Sequence, residues 1–540
     1  MQVLRGFYVF LSFHTAIPDA LRVPWAPMRQ LIRGSFVLLA AMVVVVVATS
    51  ASGARKMAVV KTAIGPLETA VSFPTASSTT GNTIQLERIR AAGSKYVEVR
   101  MYWSTVAPSR STTPTDFQPK DPADPKYNWA HYDDQIRAAA AAGLKPIVAI
   151  TTAPRWAEGS GRGSSNSGAY KPSPSALANF ATAAAQRYSG SFKDLPRVQY
   201  WAIWNEPNLN TFLNPQTLKK KAFAPGWYRS MLNASAVAIH AVAANNVVIG
   251  GETAPFGVGS ANRTATKPLV FMEKVLCIAE KKVLNKKTKK VTITYKSACK
   301  TKTKVDVWSH HPYTQGGPTT KAKAHGNVSL GDMGEMRAVL NTAIKANHVV
   351  SKQKVRLWVT EFSWDSKPPD PKGVPISLET RWVSQALYQM WNSGVSLVTW
   401  FILRDQPLAT SYWQSGLYYA SSKGISSDRA KPVLRAFRFP FVALPQVLKK
   451  KPYVLVWGRT PTSKKATVLI ERKSGSKWKR VKRLSANRYG IFKISIPKPA
   501  NTVYLRARLS NGSDQSAAFS LKAPKKSWAW AKCGAFSNNC

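Results

Sequence analysis

The chain has 540 residues, which is too long for one ordinary domain and long enough to bury a substantial core. Hydrophobic residues make up 44% of it and 18 tryptophans are present, a composition that excludes a disordered or fibrous protein. The formal net charge of +51 predicts a surface that attracts anions, although a general basic bias without a specific ligand explains it equally well. No zinc finger, RNA-binding signature or basic zipper is present, so a specific nucleic-acid partner is not expected.

Residues 1–54 are predicted to be an N-terminal extension and signal peptide. An unbroken apolar run at 36–48 follows Arg29 and Arg33 and precedes a stretch of small residues, which is the layout of an export signal. The run is too short to span a bilayer comfortably. Because this layout begins at Met28, we expect Met28 to be the initiator. The predicted location is outside the cell or in its envelope, with an uncleaved anchor as the alternative.

Four cysteines in an exported chain indicate disulfide bonds, and four cysteines allow three pairings. The short-loop choices join Cys277 to Cys299 and Cys533 to Cys540. None of the four has the Cys-x-x-Cys spacing of a zinc or redox site, and no metal is predicted. Between the first two cysteines, lysines and alternating apolar residues surround a central Asn-Lys-Lys-Thr, which predicts a basic hairpin pinned by a disulfide.

From residue 60 to residue 445, predicted strands alternate with predicted helices. The strands are 67–73, 95–103, 144–152, 198–205, 247–253, 304–310, 354–360 and 395–403. The helices are 83–92, 132–142, 174–188, 227–244, 267–279, 330–346, 378–392 and 431–437. Eight such repeats predict an α/β protein with a closed (β/α)₈ TIM barrel as its catalytic domain. No glycine-rich phosphate loop follows the first strand, which argues against a nucleotide-binding fold.

Residues 449–524 have a different pattern, with short alternating runs separated by turn residues, which predicts a small C-terminal β-sandwich. Residues 525–540 form a C-terminal tail without predicted structure. From residue 449 to the end there are 22 lysines and arginines against only Glu471 and Asp514. The sandwich is therefore expected to be a basic accessory domain that holds the protein near an anionic cell-surface polymer.

In such a barrel the active site lies at the carboxyl ends of the strands. In chain order those positions hold Arg100, Asn205, Glu206, His310, His311, Tyr313, Glu361 and Trp400. Glu206 and Glu361 end the fourth and seventh strands and should face each other across the barrel mouth. Cleaving a glycosidic bond requires one carboxyl group to protonate the leaving oxygen and another to attack the anomeric carbon. The pair therefore predicts a glycosidase, and in a retaining enzyme the two carboxyl groups should stand about 5 to 5.5 Å apart.

The neighbouring residues predict different protonation states for the two acids. Asn205 and the aromatic wall around Trp204 are expected to keep cations away from Glu206 and to favour its protonated form. Arg100 is placed to stabilise an ionised Glu361.

The run Trp204-Asn205-Glu206-Pro207-Asn208, with Glu361 in Thr-Glu-Phe after an apolar strand, resembles clan A of the glycoside hydrolases, closest to families 5 and 39. The resemblance covers the barrel and implies a retaining double-displacement mechanism. It implies that Glu206 is the acid/base, Asn205 the residue that binds the substrate 2-hydroxyl, and Glu361 the nucleophile.

The same resemblance implies roles for four further residues. Arg100 is similar to the second-strand arginine that holds the nucleophile. His311 and Tyr313 are similar to a sixth-strand His-x-Tyr pair near that nucleophile, and Trp400 to the eighth-strand tryptophan that floors the subsite where cleavage occurs.

The end of the third strand departs from the family pattern. The sequence Thr-Thr-Ala-Pro-Arg-Trp at 151–156 lacks the histidine that many family 5 cellulases carry there, which makes a plain cellulase less expected. It leaves Arg155 as a candidate contact for an acidic sugar and Trp156 as a further candidate for substrate binding.

The sequence thus predicts an exported retaining glycoside hydrolase that acts on a polysaccharide or oligosaccharide without metal or organic cofactor. A transglycosylase would use the same residues. A catalytically silent carbohydrate-binding envelope protein is the alternative from another class, although the presence of both glutamates counts against it. No stable homo-oligomer is implied.

Overall fold

The computed structural model describes residues 57–63, 65–73, 79–162, 168–257, 264–289, 291–408, 411 and 413–524. The predicted signal peptide, Cys533, Cys540 and the C-terminal tail lie outside these residues. Contacts divide the chain into two units, Met1–Arg55 and Lys56–Cys540, and the whole described part belongs to the second.

Eight parallel strands close into a barrel, as predicted. They are β1 (Glu68–Ser72), β2 (Tyr96–Tyr102), β3 (Lys145–Thr151), β4 (Tyr200–Ile203), β5 (Val247–Thr253), β6 (Val307–His310), β7 (Arg356–Phe362) and β8 (Val395–Trp400). Each strand pairs with its neighbour in the chain, and β8 pairs with β1, which closes the sheet. The carboxyl ends of all eight strands therefore meet around one mouth.

The principal helices of the barrel follow the predicted ones within a few residues. They are α1 (Thr79–Ala91), α2 (Ala130–Ala141), α3 (Pro174–Arg187), α4 (Ala224–Val242), α5 (Pro268–Val275), α6 (Met333–Lys345), α7 (Ile376–Asn392) and α8 (Pro432–Arg438). A short helix, Trp103–Val106, follows β2 directly. Short 3₁₀ segments lie at Arg155–Ala157, Leu330–Asp332 and Ile425–Ser427. Two-residue strand pairs in the loops join Thr217–Leu218 to Lys221–Ala222, Thr303–Lys304 to Val349–Val350, Ser366–Lys367 to Val374–Pro375, and Tyr418–Tyr419 to Arg429–Ala430.

The alternation of side chains along β2 shows how the sequence builds both layers of the barrel. Val97, Val99 and Met101 are fully buried in the main apolar cluster, which also contains helix residues. The intervening positions, among them Glu98 and Arg100, belong to the opposite face of the strand and point into the barrel. A second apolar cluster fills the lower barrel: Ala70, Ile147, Ala149, Tyr200, Ala202, Val247, Ile249, Val307, Trp358 and Leu397. The apolar floor leaves the mouth for polar side chains.

The predicted basic hairpin is present after α5. Its strands Ile278–Leu284 and Val291–Ser297 pair antiparallel. Cys277 and Cys299 form the predicted disulfide at its base, with Cα atoms 5.1 Å apart. Within the described residues, none of the helices is both long and apolar enough to cross a bilayer.

Two antiparallel sheets follow the barrel and form the predicted sandwich. Its strands are β9 (Phe441–Leu448), β10 (Lys451–Arg459), β11 (Thr467–Ser474), β12 (Lys477–Ser485), β13 (Ile491–Pro497), β14 (Tyr504–Leu509) and β15 (Phe519–Ser520). One sheet has the order β9-β10-β13 and the other β12-β11-β14-β15. Strand β9 begins within the range assigned to the barrel from sequence, because its apolar run pairs with β10 along its whole length.

Candidate active site

Glu206 and Glu361 meet at the mouth of the barrel. Glu206 follows β4 and is 4% exposed, while Glu361 lies at the end of β7 and is 7% exposed. A carboxylate oxygen of one lies within 4.8 Å of a carboxylate oxygen of the other. Glu206 also has a positive φ of 39°, a conformation that residues other than glycine adopt rarely and that often marks a functional site.

Glu361 is surrounded by donors. Nη2 of Arg100 donates to its Oε2 over 2.9 Å, and the hydroxyl of Tyr313 donates to its Oε1 over 2.9 Å. Burial by itself would raise the pKa of Glu361, but the charges of His311 and Arg100 and these hydrogen bonds outweigh burial and hold the pKa below its usual value. These contacts therefore favour the ionised form of Glu361.

The pKa of Glu206 is shifted in the opposite direction. Burial raises its pKa, and the nearby charge of Glu361 adds to this effect, whereas a hydrogen bond from His311 opposes it without cancelling it. Nδ1 of His311 lies 3.0 Å from Oε1 of Glu206. From the sequence we expected no cation beside Glu206. This prediction was wrong, because the loop after β6 brings His311 across the barrel mouth. Desolvation, rather than the absence of a cation, raises the pKa of Glu206 and favours its protonated form.

His311 lies between two acids, and the second of these, Glu252, was missed from the sequence. Nε2 of His311 is 3.6 Å from Oε2 of Glu252, which lies near the end of β5. Oε1 of Glu252 accepts hydrogen bonds from the hydroxyls of Ser309 and Thr360. Burial opposes the charge of His311, but the surrounding carboxylates outweigh it and raise its pKa to about 10.

The backbone before Glu252 needs glycine. Gly251 has a φ of 105°, and a Cβ there would lie 2.3 Å from the carbonyl oxygen of Ser309 on β6. The acidic residue that directly follows this glycine, within the predicted fifth strand, was the available sequence signal for Glu252.

Glu98 was also missed. It lies two residues before Arg100 on β2, so both side chains are on the same face of the strand, and this spacing was visible in the sequence. Nη2 of Arg100 donates to Oε1 of Glu98 over 3.1 Å, and Ser72 donates to its other oxygen. Burial raises the pKa of Glu98, partly offset by Arg100. One guanidinium thus connects Glu98 with Glu361 and fixes the position of the Glu361 carboxylate.

The remaining predicted residues are placed differently. Asn205 is buried beside Glu206, and within the described part of the chain its amide forms no side-chain hydrogen bond, which leaves it available to a substrate hydroxyl. Trp400 is only 1% exposed, and its indole nitrogen donates to the carbonyl oxygen of Ser415 over 2.8 Å. Trp156 is half-buried, with its indole nitrogen donating to the carbonyl oxygen of Pro108. Substrate contacts by Trp400 and Trp156 stay predictions.

His310, unlike His311, is a structural residue. Its Nδ1 lies 2.8 Å from the hydroxyl of Thr253, and its Nε2 lies 2.9 Å from the carbonyl oxygen of Val328. Burial lowers its pKa to about 3, so the ring is neutral.

Glu206, His311 and Glu361 also have the ligand types of a metal site, with donor atoms within 4.8 Å of one another. A metal ligand must be a neutral imidazole, however, and both ring nitrogens of His311 face carboxylates in a setting that keeps the ring protonated. The arrangement therefore suits proton transfer and nucleophilic attack better than metal binding.

A cleft of about 230 Å³ extends from this centre along the loops after β1, β2 and β8. It begins at Glu98 and Arg100 and is walled by Tyr102 and Trp413, two aromatic side chains that are 44% and 43% exposed. Trp413 packs edge-on against Phe401, with ring centroids 5.2 Å apart. The cleft thus offers exposed ring faces close to Arg100, which pairs with Glu361. Arg155, the candidate contact for an acidic sugar, is exposed and does not line this cleft.

A buried charge cluster holds the loop that carries Trp413. Nζ of Lys431, 2% exposed, donates to Asp405 over 2.6 Å and to the carbonyl oxygen of Gln414 over 2.8 Å. Asp365 accepts from the backbone N–H of Gln414 over 2.8 Å, and burial raises its pKa to about 7. The loop beside Trp413 is therefore fixed to the barrel through Gln414 by this cluster.

No protein-family model matches the sequence, and a comparison with curated proteins finds no match. Solved structures with a similar fold include a family 39 glycoside hydrolase from Bacteroides cellulosilyticus. Its sequence is 15% identical, the match covers 80% of this chain and 81% of that chain, and the TM-score is 0.45. A monomeric β-xylosidase from Caulobacter crescentus has 15% sequence identity, the match covers 81% of this chain and 96% of that chain, and the TM-score is 0.42. A family 30 endoxylanase from Clostridium papyrosolvens has 11% sequence identity, the match covers 82% of this chain and 96% of that chain, and the TM-score is 0.40. At such identities the function of this chain has to rest on its own residues.

Proposed function

We propose that the protein is a retaining glycoside hydrolase. The observation that carries the proposal is the pair of buried carboxylates, Glu206 and Glu361, with oxygens within 4.8 Å of each other and with pKa values shifted in opposite directions. Retaining glycosidases hold their carboxyl groups about 5 to 5.5 Å apart, whereas inverting enzymes need about 6.5 to 9.5 Å to admit a water between them.

In the first step the ionised carboxylate of Glu361 attacks the anomeric carbon and forms a glycosyl ester. At the same time Glu206 gives its proton to the departing glycosidic oxygen. In the second step Glu206, now ionised, takes a proton from water, the water oxygen attacks the anomeric carbon, and Glu361 leaves as a carboxylate. His311 supports the ionised form of Glu206 between the two steps, since it is positively charged and lies 3.0 Å away.

The walls of the cleft favour a neutral sugar in the subsites next to the nucleophile. Among the described residues that line it, the charged ones are Glu98 and Arg100, which pair with each other. Arg100 also donates a hydrogen bond to Glu361. A substrate carboxylate in this part of the cleft would therefore compete with the nucleophile for the same guanidinium. Tyr102 and Trp413 offer ring faces on which the apolar face of a sugar can stack.

Three variants test the proposal on aryl glycosides and purified neutral polysaccharides. Glu361→Gln should abolish turnover without loss of folding, and Glu87→Gln, which changes an exposed glutamate on α1, should retain wild-type activity. Glu206→Ala should still form the covalent intermediate from substrates with good leaving groups, and added azide should accelerate its release. Unchanged hydrolysis by Glu361→Gln would overturn the assignment.

Covalent labelling separates a working enzyme from a silent binding protein. A mechanism-based fluorosugar should add one sugar at Glu361, as identified by peptide mass spectrometry, and the Glu361→Gln variant should remain unlabelled. Product analysis at high substrate concentration separates hydrolysis from transfer to a second sugar.

Export is part of the same proposal, and N-terminal sequencing of the mature protein tests it, because a start before residue 40 would contradict a cleaved signal.

A further inference from the structure

The outer face of the four-stranded sheet of the sandwich carries an unusual group of arginines. Arg480 and Arg483 of β12 lie opposite Glu471 and Leu469 of β11. On the other side of β11, Arg506 and Arg508 of β14 lie opposite the same two residues. We call these four arginines the arginine face. Because β12 and β14 flank one strand, the two pairs stand about 10 Å apart across the sheet.

A β-bulge explains how Arg480 and Arg483 share this face. Residues three apart in a regular strand point to opposite sides of the sheet. The pairing of β11 with β12 shifts register between Ile470 and Glu471, which adds one residue to β12 and brings both arginines to the outer face. The sequence alone would have placed them on opposite sides.

Glu471 holds the other pair in position. It is only 4% exposed, and its two oxygens accept hydrogen bonds from Nε of Arg506 over 2.8 Å and from Nε of Arg508 over 3.0 Å. The guanidinium of Arg506 also stacks on the ring of Trp478 at 4.3 Å. Glu471 bonds only to the Nε atoms, and within the described part of the chain the Nη groups of both arginines have no hydrogen bond, which leaves those donors for an external acceptor.

The charge on this face is not balanced by the protein. Glu471 is the one acid among the residues of the face, against four arginines and the exposed Lys473. Within the described part of the chain, the guanidinium groups of Arg480 and Arg483 have neither a hydrogen bond nor an ion pair. A solvated surface of scattered charges needs neither a buried acid nor an aromatic support, so the arrangement indicates a binding surface.

We propose that the arginine face binds an acidic polysaccharide through its carboxylate groups. A guanidinium fork matches a carboxylate with two parallel hydrogen bonds. The arginines lie on neighbouring strands of one sheet face, which suits an extended polymer, whereas duplex DNA is read by an element that projects into a groove. This function is separate from the proposed hydrolysis, and it would hold the catalytic cleft close to neutral chains that lie within an acidic matrix.

The experiment uses the full chain with Glu361→Gln, so that binding is measured without turnover. Affinity for polygalacturonate is measured by affinity electrophoresis and calorimetry at several salt concentrations, with a neutral polysaccharide and a duplex DNA of equal charge as comparison ligands. The test pair is Arg480→Gln with Arg483→Gln, because these side chains hold no internal partner. The matched control is Lys450→Gln with Lys451→Gln, which removes the same charge from the turn and the strand start between β9 and β10, away from the arginine face.

We expect the arginine pair to weaken polygalacturonate binding by about tenfold or more, because two charge-assisted contacts are lost, and the lysine pair to change it by less than about twofold. Arg480→Lys with Arg483→Lys should fall between, since a point charge cannot form the paired hydrogen bonds. Equal weakening by the arginine and lysine pairs would overturn the proposal in favour of diffuse charge. Tighter binding of DNA than of polygalacturonate at the same salt, or no binding of either, would also overturn it.

Discussion

Removing the hydroxyl of Tyr313 should shift the acidic limb of the pH-rate profile. In the structure this hydroxyl donates to Oε1 of Glu361 over 2.9 Å and helps to keep the carboxylate ionised. A hydrogen bond to a charged group contributes roughly 1.5 to 3 kcal/mol, and one pKa unit corresponds to about 1.4 kcal/mol. Tyr313→Phe should therefore raise the pKa of Glu361 by about one to two units.

The assay is kcat/KM for an aryl glycoside as a function of pH, since this ratio reports the ionisation of the free enzyme. In the proposed mechanism, activity requires ionised Glu361 and protonated Glu206, so the profile should be bell-shaped. In Tyr313→Phe the acidic limb should move to higher pH by about one unit or more, while the basic limb moves less.

Tyr188→Phe is the matched control. Its hydroxyl is also buried and also donates to a carboxylate, Oδ1 of Asp133 over 3.0 Å, but on the outer layer of helices. The control should lose comparable stability without moving either limb. An acidic limb that stays in place in Tyr313→Phe, or that moves equally in Tyr188→Phe, would refute the assignment of that limb to Glu361.

Three further variants probe other parts of the molecule. His311→Asn should move the basic limb to higher pH, because loss of the imidazolium removes the contact that opposes the raised pKa of Glu206; a shift to lower pH would contradict this. Trp413→Ala should raise KM for oligosaccharides about tenfold and leave KM for aryl monoglycosides nearly unchanged. The control is Tyr504→Ala, which removes an exposed aromatic ring of the sandwich. Equal effects of Trp413→Ala on both substrates would exclude a role in stacking. Asp365 has a raised pKa in the folded state, so its contribution to stability is present below about pH 4 and is lost as pH rises through about 7. Asp365→Asn should therefore gain stability over wild type between pH 5 and 8, by at most about 4 kcal/mol in denaturant titrations, and a constant difference across that range would contradict the assignment.

The eight-strand barrel could be read from the sequence because its signals are local. Apolar runs of the right length and their regular alternation with amphipathic helical segments specify a parallel sheet whatever the loops do. The same logic found Glu206 and Glu361, because strand ends are recognisable in sequence and a closed barrel gathers them at one mouth.

The partners of these residues could not be read in the same way. Glu252 contacts His311, Ser309 and Thr360 because barrel closure brings three strands together, and no local pattern encodes that distance. The protonation of Glu206 likewise depends on burial and on a histidine 105 residues away in the chain. Trp400 was predicted to face the substrate but is buried. Later segments of the chain, including Ser415, pack over it, and no local pattern predicts that packing.

The sequence by itself determined the order of elements, the two carboxylates and the basic character of the C-terminal sandwich, since hydrophobic periodicity and charge are properties of the chain. Only the tertiary structure decided which acid has the raised pKa, which tryptophan is exposed and which arginines share a face. Those outcomes depend on desolvation, on contacts between distant strands and, for Arg480 and Arg483, on a single bulge in the pairing of two strands.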